Sequence, residues 1–247
     1  MTGWGPSMHS SQLKLLTIPD RSLSILMTDI LQLKDFLDEK VRFYSRASFI
    51  DTDPVYIPHL YNKKQDIEIS GLFAAVFAWG QRKTIINKCR ELLSIMDDAP
   101  YDFIRNHTAR DLIPIEGFRH RTFNATDALY FIHFLKIYYS HYTSLEELFF
   151  PSSFQENLFI STSNKENPVL LPISQEPVEA ALIRFHRAFF SLPEAPDRTR
   201  KHIPTPERKS TCKRLNMYLR WMVRKDKEGI DFPDHGGNDA DNNHEDG

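Results

Sequence analysis

Apolar residues run without a break from Leu72 to Trp79 (LFAAVFAW), stop at Gly80, and return with a new period. A segment with no polar face has to lie inside a globule, so residues 69–79 predict a fully buried helix. After the break, Ile85, Ile86, Cys89, Leu92, Leu93 and Met96 fall at offsets that put them on one stripe, with Lys88, Arg90 and Glu91 opposite. That is an amphipathic helix. The polar residues between the two, Gly80, Gln81, Arg82 and Lys83, form a corner mounted on a core helix and are expected to face solvent or a ligand.

The same reading extends along the chain. Residues 22–43 place Ile25, Leu26, Ile30, Leu33, Phe36, Leu37, Val41 and Phe43 at near-helical spacing, which predicts a core helix with one wet face. Pro54 and Pro58 force extended backbone on the residues before them, so 49–66 reads as an ordered loop, with Asp66 as the cap of the central helix. Pro100 opens a short helix over 100–107. Residues 108–123, with three arginines and one histidine, read as a connector. Asn124 and Asp127 form a cap-like pair ahead of the aromatic helix ALYFIHFLKIYYSHY, and Ser144 with Glu147 forms a capping box for LEELFF. Residues 151–177 have the composition of a surface loop. Helices follow over 178–190 and from Lys209 or Ser210 to Lys227. The expected organisation is a loose lead-in over 1–21, a helical domain over 22–227 and a disordered acidic tail over 228–247.

Composition supports an all-α fold. Fifteen prolines, nine glycines and eighteen phenylalanines suit helices ended by prolines rather than a meander of glycine turns. Cys89 and Cys212 are too few for a disulfide scaffold, which indicates a reducing compartment. With no apolar leader and no run of eighteen apolar residues, the chain reads as cytoplasmic with no membrane partner. The net charge of −2 hides an asymmetry: eleven Lys/Arg against three Asp/Glu over 197–227, then seven acids and no Lys/Arg over 228–247.

The basic segment is the one part with an electrostatic case for polyanions. On a helix, Lys209, Lys213, Arg220, Arg224 and Lys227 share a face, Arg198 and Arg214 widen it, and Cys212, Leu215, Leu219 and Met222 make the opposite stripe. Such a row is best neutralised by phosphates, although a solvated face beside an acidic tail fits the charge equally well. A lysine crowded among arginines is also the kind of amine that serves as a nucleophile, which singles out Lys213. No zinc, calcium, P-loop, dinucleotide or serine-hydrolase motif is present, so neither a metal nor a small-molecule cofactor is expected. His133 and His141 read as core or surface imidazoles.

The run from Pro54 through Met96 and RKSTCKRLNMYLRWMVR over 208–224 resemble an uncharacterised bacterial family distantly similar to helix-hairpin-helix DNA glycosylases. The resemblance implies that fold, a DNA partner and base excision, a DNA-repair chemistry. VFAWGQRKTIINKC is similar to the superfamily's polar turn, with Gln81 at the glutamine that faces DNA where a base is extruded. TCKRLN is similar to the stretch carrying the catalytic amine, with Lys213 at the lysine. PTPERKST replaces the glycine-rich hairpin, the iron–sulfur cysteines are absent, and neither Asp231 nor Asp234 matches the motif of the catalytic aspartate. The chain thus reads as incomplete at its C-terminus. The expected function is DNA binding through Gln81, Arg82, Lys83, Lys209, Arg214, Arg220 and Arg224, with weak or no base excision at Lys213. The alternatives are a non-catalytic helical module for nucleic acid or an acidic protein, and a truncated product without a function of its own.

Overall fold

The computed structural model describes residues 20–44, 46–151, 177–224 and 230–232. They fall into two units, Met1–Ser45 and Arg46–Gly247. Nearly all regular structure is helical, and no described helix is long and apolar enough to cross a membrane.

The first unit contributes α1 (Asp20–Tyr44). Its span matches the hydrophobic period, and within it Ile30, Leu33, Phe36, Leu37 and Val41 are each 50–57% exposed. Periodicity records that a helix has an apolar face and says nothing of what meets it.

In the second unit, α2 (Ala47–Ile50) leads into two 3₁₀ turns, Pro54–Tyr56 and Pro58–Leu60, each opened by its proline. The central helix α3 (Lys64–Phe77) is buried from Asp66 to Phe77, but the expected burial of the whole apolar run is corrected at its end, where the helix has stopped and Trp79 is exposed. Each of its large side chains contributes roughly 1.5–3 kcal/mol by leaving water. α4 (Arg82–Ile95) turns Ile85, Cys89, Leu92 and Leu93 inward. α5 (Pro100–Asn106) follows, then a 3₁₀ turn and a short antiparallel hairpin of β1 (Arg119–His120) and β2 (Phe123–Asn124). α6 (Ala125–His141), α7 (Glu146–Phe149), α8 (Pro177–Phe189) and α9 (Lys213–Val223) complete the unit.

α9 is the most extensive neighbour of α3. Gly71 lies at the contact, where a Cβ would touch the Tyr218 ring and displace the Met222 methyl. The inward stripe of α9 is Leu215, Tyr218, Leu219 and Trp221, with Met222 half-buried. Phe73, Phe77, Phe123, Phe131 and Phe189 stack through the centre at ring separations of 4.7–6.0 Å.

Several caps fall on partners other than the sequential ones. Asp66 lies inside the first turn of α3, and its carboxylate accepts the Tyr101 amide of α5 at 2.8 Å. Ser144 accepts the Glu146 amide at 3.1 Å, while the buried Glu68 of α3 accepts the Leu145 amide and the hydroxyls of Tyr139 and Ser144. Burial raises the Glu68 carboxyl above its ordinary value. The Asn124–Asp127 pair caps α6 as expected, with Asp127 accepting the Asn124 amide at 2.9 Å. The tail is partly corrected too: Ile230 and Asp231 are buried, and the Phe232 amide bonds the Trp221 carbonyl at 2.6 Å. The expected surface loop at 151–177, most of the lead-in and the tail beyond Phe232 lie outside the described residues.

Candidate nucleic-acid interface

A helix that ends inside a fold must find partners for its last carbonyls. At the end of α3 two basic side chains supply them. The Arg214 guanidinium, from α9, donates to the Val76 carbonyl, and His120 Nε2, from β1, donates to the Phe77 carbonyl at 3.1 Å. Burial lowers the pKa of both groups, and because a carbonyl only accepts, His120 donates from Nε2. A cation suits the negative end of the helix, and the imidazole N–H satisfies a carbonyl that would otherwise be unpaired there. The hairpin and the start of α9 are therefore fastened to one point, beside the turn into α4.

That turn is tight. The Trp79 amide bonds the Phe77 carbonyl at 2.6 Å, and Gly80 sits at φ +115°, a region open to glycine alone. A Cβ at Gly80 would run into the Arg121 guanidinium, which also lies 5.1 Å from the centre of the Trp79 ring. Gln81 is the extended residue ahead of α4, and it is exposed.

Two helices thus begin at this corner, α4 with Arg82 and Lys83 and α9 with Lys213 and Arg214. Neither start has an acidic residue in its first turn or a side-chain cap. This inverts the usual preference: the positive ends of two helices carry added positive charge, each such placement disfavoured by about 0.3–1 kcal/mol. An anion docked at either start would relieve the charge there.

The candidate residues separate by what already holds them. Lys83, Lys209 and Lys213 are exposed and make no ion pair among the described residues. Arg220 is exposed two turns beyond Lys213 on α9, and its charge acts on Asp53. Arg82 is engaged, its Nε 3.4 Å from Asp53 and its guanidinium 5.1 Å from the Phe49 ring. Burial raises the Asp53 carboxyl, against the opposing pull of the Val55 amide and the two arginines. Arg214 is half-buried on Val76. Arg224 closes α9, with its Nε 3.5 Å from the buried Asp231. Arg198 is bound to Asn124, Asp127 and the Thr122 carbonyl.

The expected single stripe is accordingly revised. Lys209 lies outside α9, at φ +57°, and Cys212 precedes the helix at φ +48° rather than sitting on its apolar face. Lys227 falls outside the described residues. The structure adds Trp79, Arg119 and Arg121, which the sequence placed in a core run and in a connector. An open groove lined by Asp51, Thr52, Arg82, Lys83, Ile86 and Asn87 borders the start of α4. Among the described residues no group of three His, Cys, Asp or Glu side chains gathers to hold a metal.

The family described as "Protein of unknown function (DUF2400)" matches residues 53–237, and the chain belongs to that family. Comparison with curated proteins and with solved structures gave no match.

Proposed function

We propose that this member of the DUF2400 family binds DNA through the corner formed by the ends of α3, α4 and α9, as a protein of helix-hairpin-helix glycosylase type with little or no base-excision activity. The observation that carries the reading is that two helix starts without side-chain caps, both basic, adjoin the end of α3, α4 with Lys83 following directly from it and α9 with Lys213 fastened to it through Arg214. Phosphodiesters satisfy both the free amides and the added charges. Gln81, exposed in the turn from α3 into α4, is the polar side chain this reading assigns to the space of an extruded base.

In the chemistry this implies, the Lys213 amine attacks the sugar C1′ of an extruded nucleotide. The C1′–N bond breaks as the new C–N bond forms, and the base departs with the electron pair and takes up a proton. A carboxylate beside C1′ is needed to stabilise the developing positive charge. Among the described residues none pairs with Lys213. Asp231 lies with Arg224 at the other end of α9, about 16 Å along the helix axis. This favours, as the second reading, a module that binds without chemistry.

Both readings expect affinity for double-stranded DNA to fall steeply with salt, and Lys213→Ala or Lys83→Ala to reduce the salt slope by about one charge each. Binding that is absent or insensitive to salt sinks both. Borohydride trapping on DNA with abasic or oxidised bases separates them. An adduct formed by the native protein and lost in Lys213→Ala establishes the enzyme, and equal behaviour of the two leaves the module.

A further inference from the structure

α3 ends in an indole that the core does not take in. Every residue of α3 from Asp66 to Phe77 is buried, yet Trp79, two residues on, is 37% exposed. Full burial of so large a ring would ordinarily be favoured, so its outward position needs a cause. The backbone supplies one. The Trp79 amide is tied to the Phe77 carbonyl, and the same carbonyl takes His120, which leaves the indole beyond the helix end with the hairpin beside it.

The hairpin is equally fixed. Arg119 pairs with Asn124 and His120 with Phe123, and Arg198 holds the Thr122 carbonyl at 3.1 Å. Arg121, at the tip, is held at φ +55°, a conformation that costs a non-glycine residue about 1–3 kcal/mol unless its surroundings enforce it. This conformation presents the guanidinium to the Trp79 ring at 5.1 Å and to Gly80. Arg119 and Arg121 are both exposed, and the basic starts of α4 and α9 adjoin the same helix end.

A rigid, half-exposed indole with a guanidinium on it, next to cations without carboxylate partners, fits a ligand that is flat and aromatic in one part and anionic in another. An unstacked nucleotide has that chemistry. We propose that Trp79 and Arg121 form a stacking platform for an unpaired nucleobase, so that the ligand is DNA with a single-stranded or displaced base in preference to intact duplex. The proposal rests on the DNA-binding reading and adds to it a residue that reads base exposure rather than charge.

The test measures, by fluorescence anisotropy over a series of salt concentrations, the affinity of the full chain for a single-stranded oligonucleotide, a duplex with one bulged base, and the intact duplex. Native protein should favour the first two. Trp79→Ala should weaken them about 5- to 100-fold and leave the intact duplex and the salt slope nearly unchanged, because stacking releases no counterions. Trp79→Phe should retain most of the affinity, which separates loss of the ring from loss of the fold. If the native protein binds DNA with a salt slope but Trp79→Ala matches it on all three ligands, the platform is refuted and the DNA reading stands. A Trp79→Ala effect carried by a lowered salt slope also refutes it, since the indole would then merely hold Arg121 in place. Failure of the native protein to bind any of the three refutes both.

Discussion

Asp127 has no exposed side-chain surface and gathers four partners among the described residues. It accepts the Asn124 amide, the Thr199 hydroxyl at 2.7 Å and the Arg198 guanidinium, with His202 Nε2 at 3.3 Å. Burial alone would raise its carboxyl, but His202, Thr199 and the Asn124 amide outweigh burial and hold it at about 2, against an ordinary 3.8. A carboxyl lowered in the fold contributes stability that is complete above its unfolded value and disappears as pH falls through its folded one. Melting temperature should therefore drop between about pH 4 and pH 2. Asp127→Ala should cost roughly 1–3 kcal/mol at neutral pH, since it takes the acceptor from the Asn124 amide and the buried Thr199 hydroxyl. Asp127→Asn should flatten the acid limb of the pH profile while lowering the plateau. Chemical denaturation across that range checks both, and an unchanged acid limb in Asp127→Asn would show that other carboxyls set it.

At the scale of elements, α9 is held to α3 by one inward guanidinium at its start and by an apolar stripe along its length. Lys213 and Arg214 are neighbours in sequence with opposite tasks, one open to solvent and one satisfying the Val76 carbonyl. Arg214→Ala should lower stability by about 1–3 kcal/mol, as expected when a buried carbonyl loses a charged donor, and leave the salt slope of DNA binding near the native value. Lys213→Ala should do the reverse. Equal effects on the slope would place Arg214 among the groups that touch phosphate. Periodicity alone did not separate them. It located the stripes of α4 and α9 and the cap of α6, because those depend on residues within a turn or two of each other. It did not locate the start of α9, which rests on two non-glycine residues in the left-handed region, Lys209 and Cys212. It also missed the hairpin, whose strands are two residues each and carry no alternation, and with it the meeting of Trp79 and Arg121, 42 positions apart in the chain.

For the molecule as a whole, every residue of the buried apolar cluster lies in the second unit. The burial of α3 was legible from Leu72 to Phe77 because that stretch has no polar face, but the outward turn of Trp79 at the end of the same run was not. Nor was the exposure of α1, because an amphipathic stripe is compatible with several placements. The candidate site was legible in its cations and not in its commitments, since Arg82, Arg214 and Arg224 look alike in sequence and differ only in the distant groups they reach. The two cysteines, set aside at first as too few to build with, acquire a use from where they lie. Cys89 is sealed in α4 and Cys212 sits under the turn that opens α9, both free thiols that burial makes reluctant to ionise. They are internal clocks on two different openings. In native buffer, a thiol reagent should modify Cys212 well before Cys89. Saturating DNA should slow Cys212 alone, recorded as two separate rates by mass spectrometry. A single shared rate would mean that the start of α9 never opens until the whole core does.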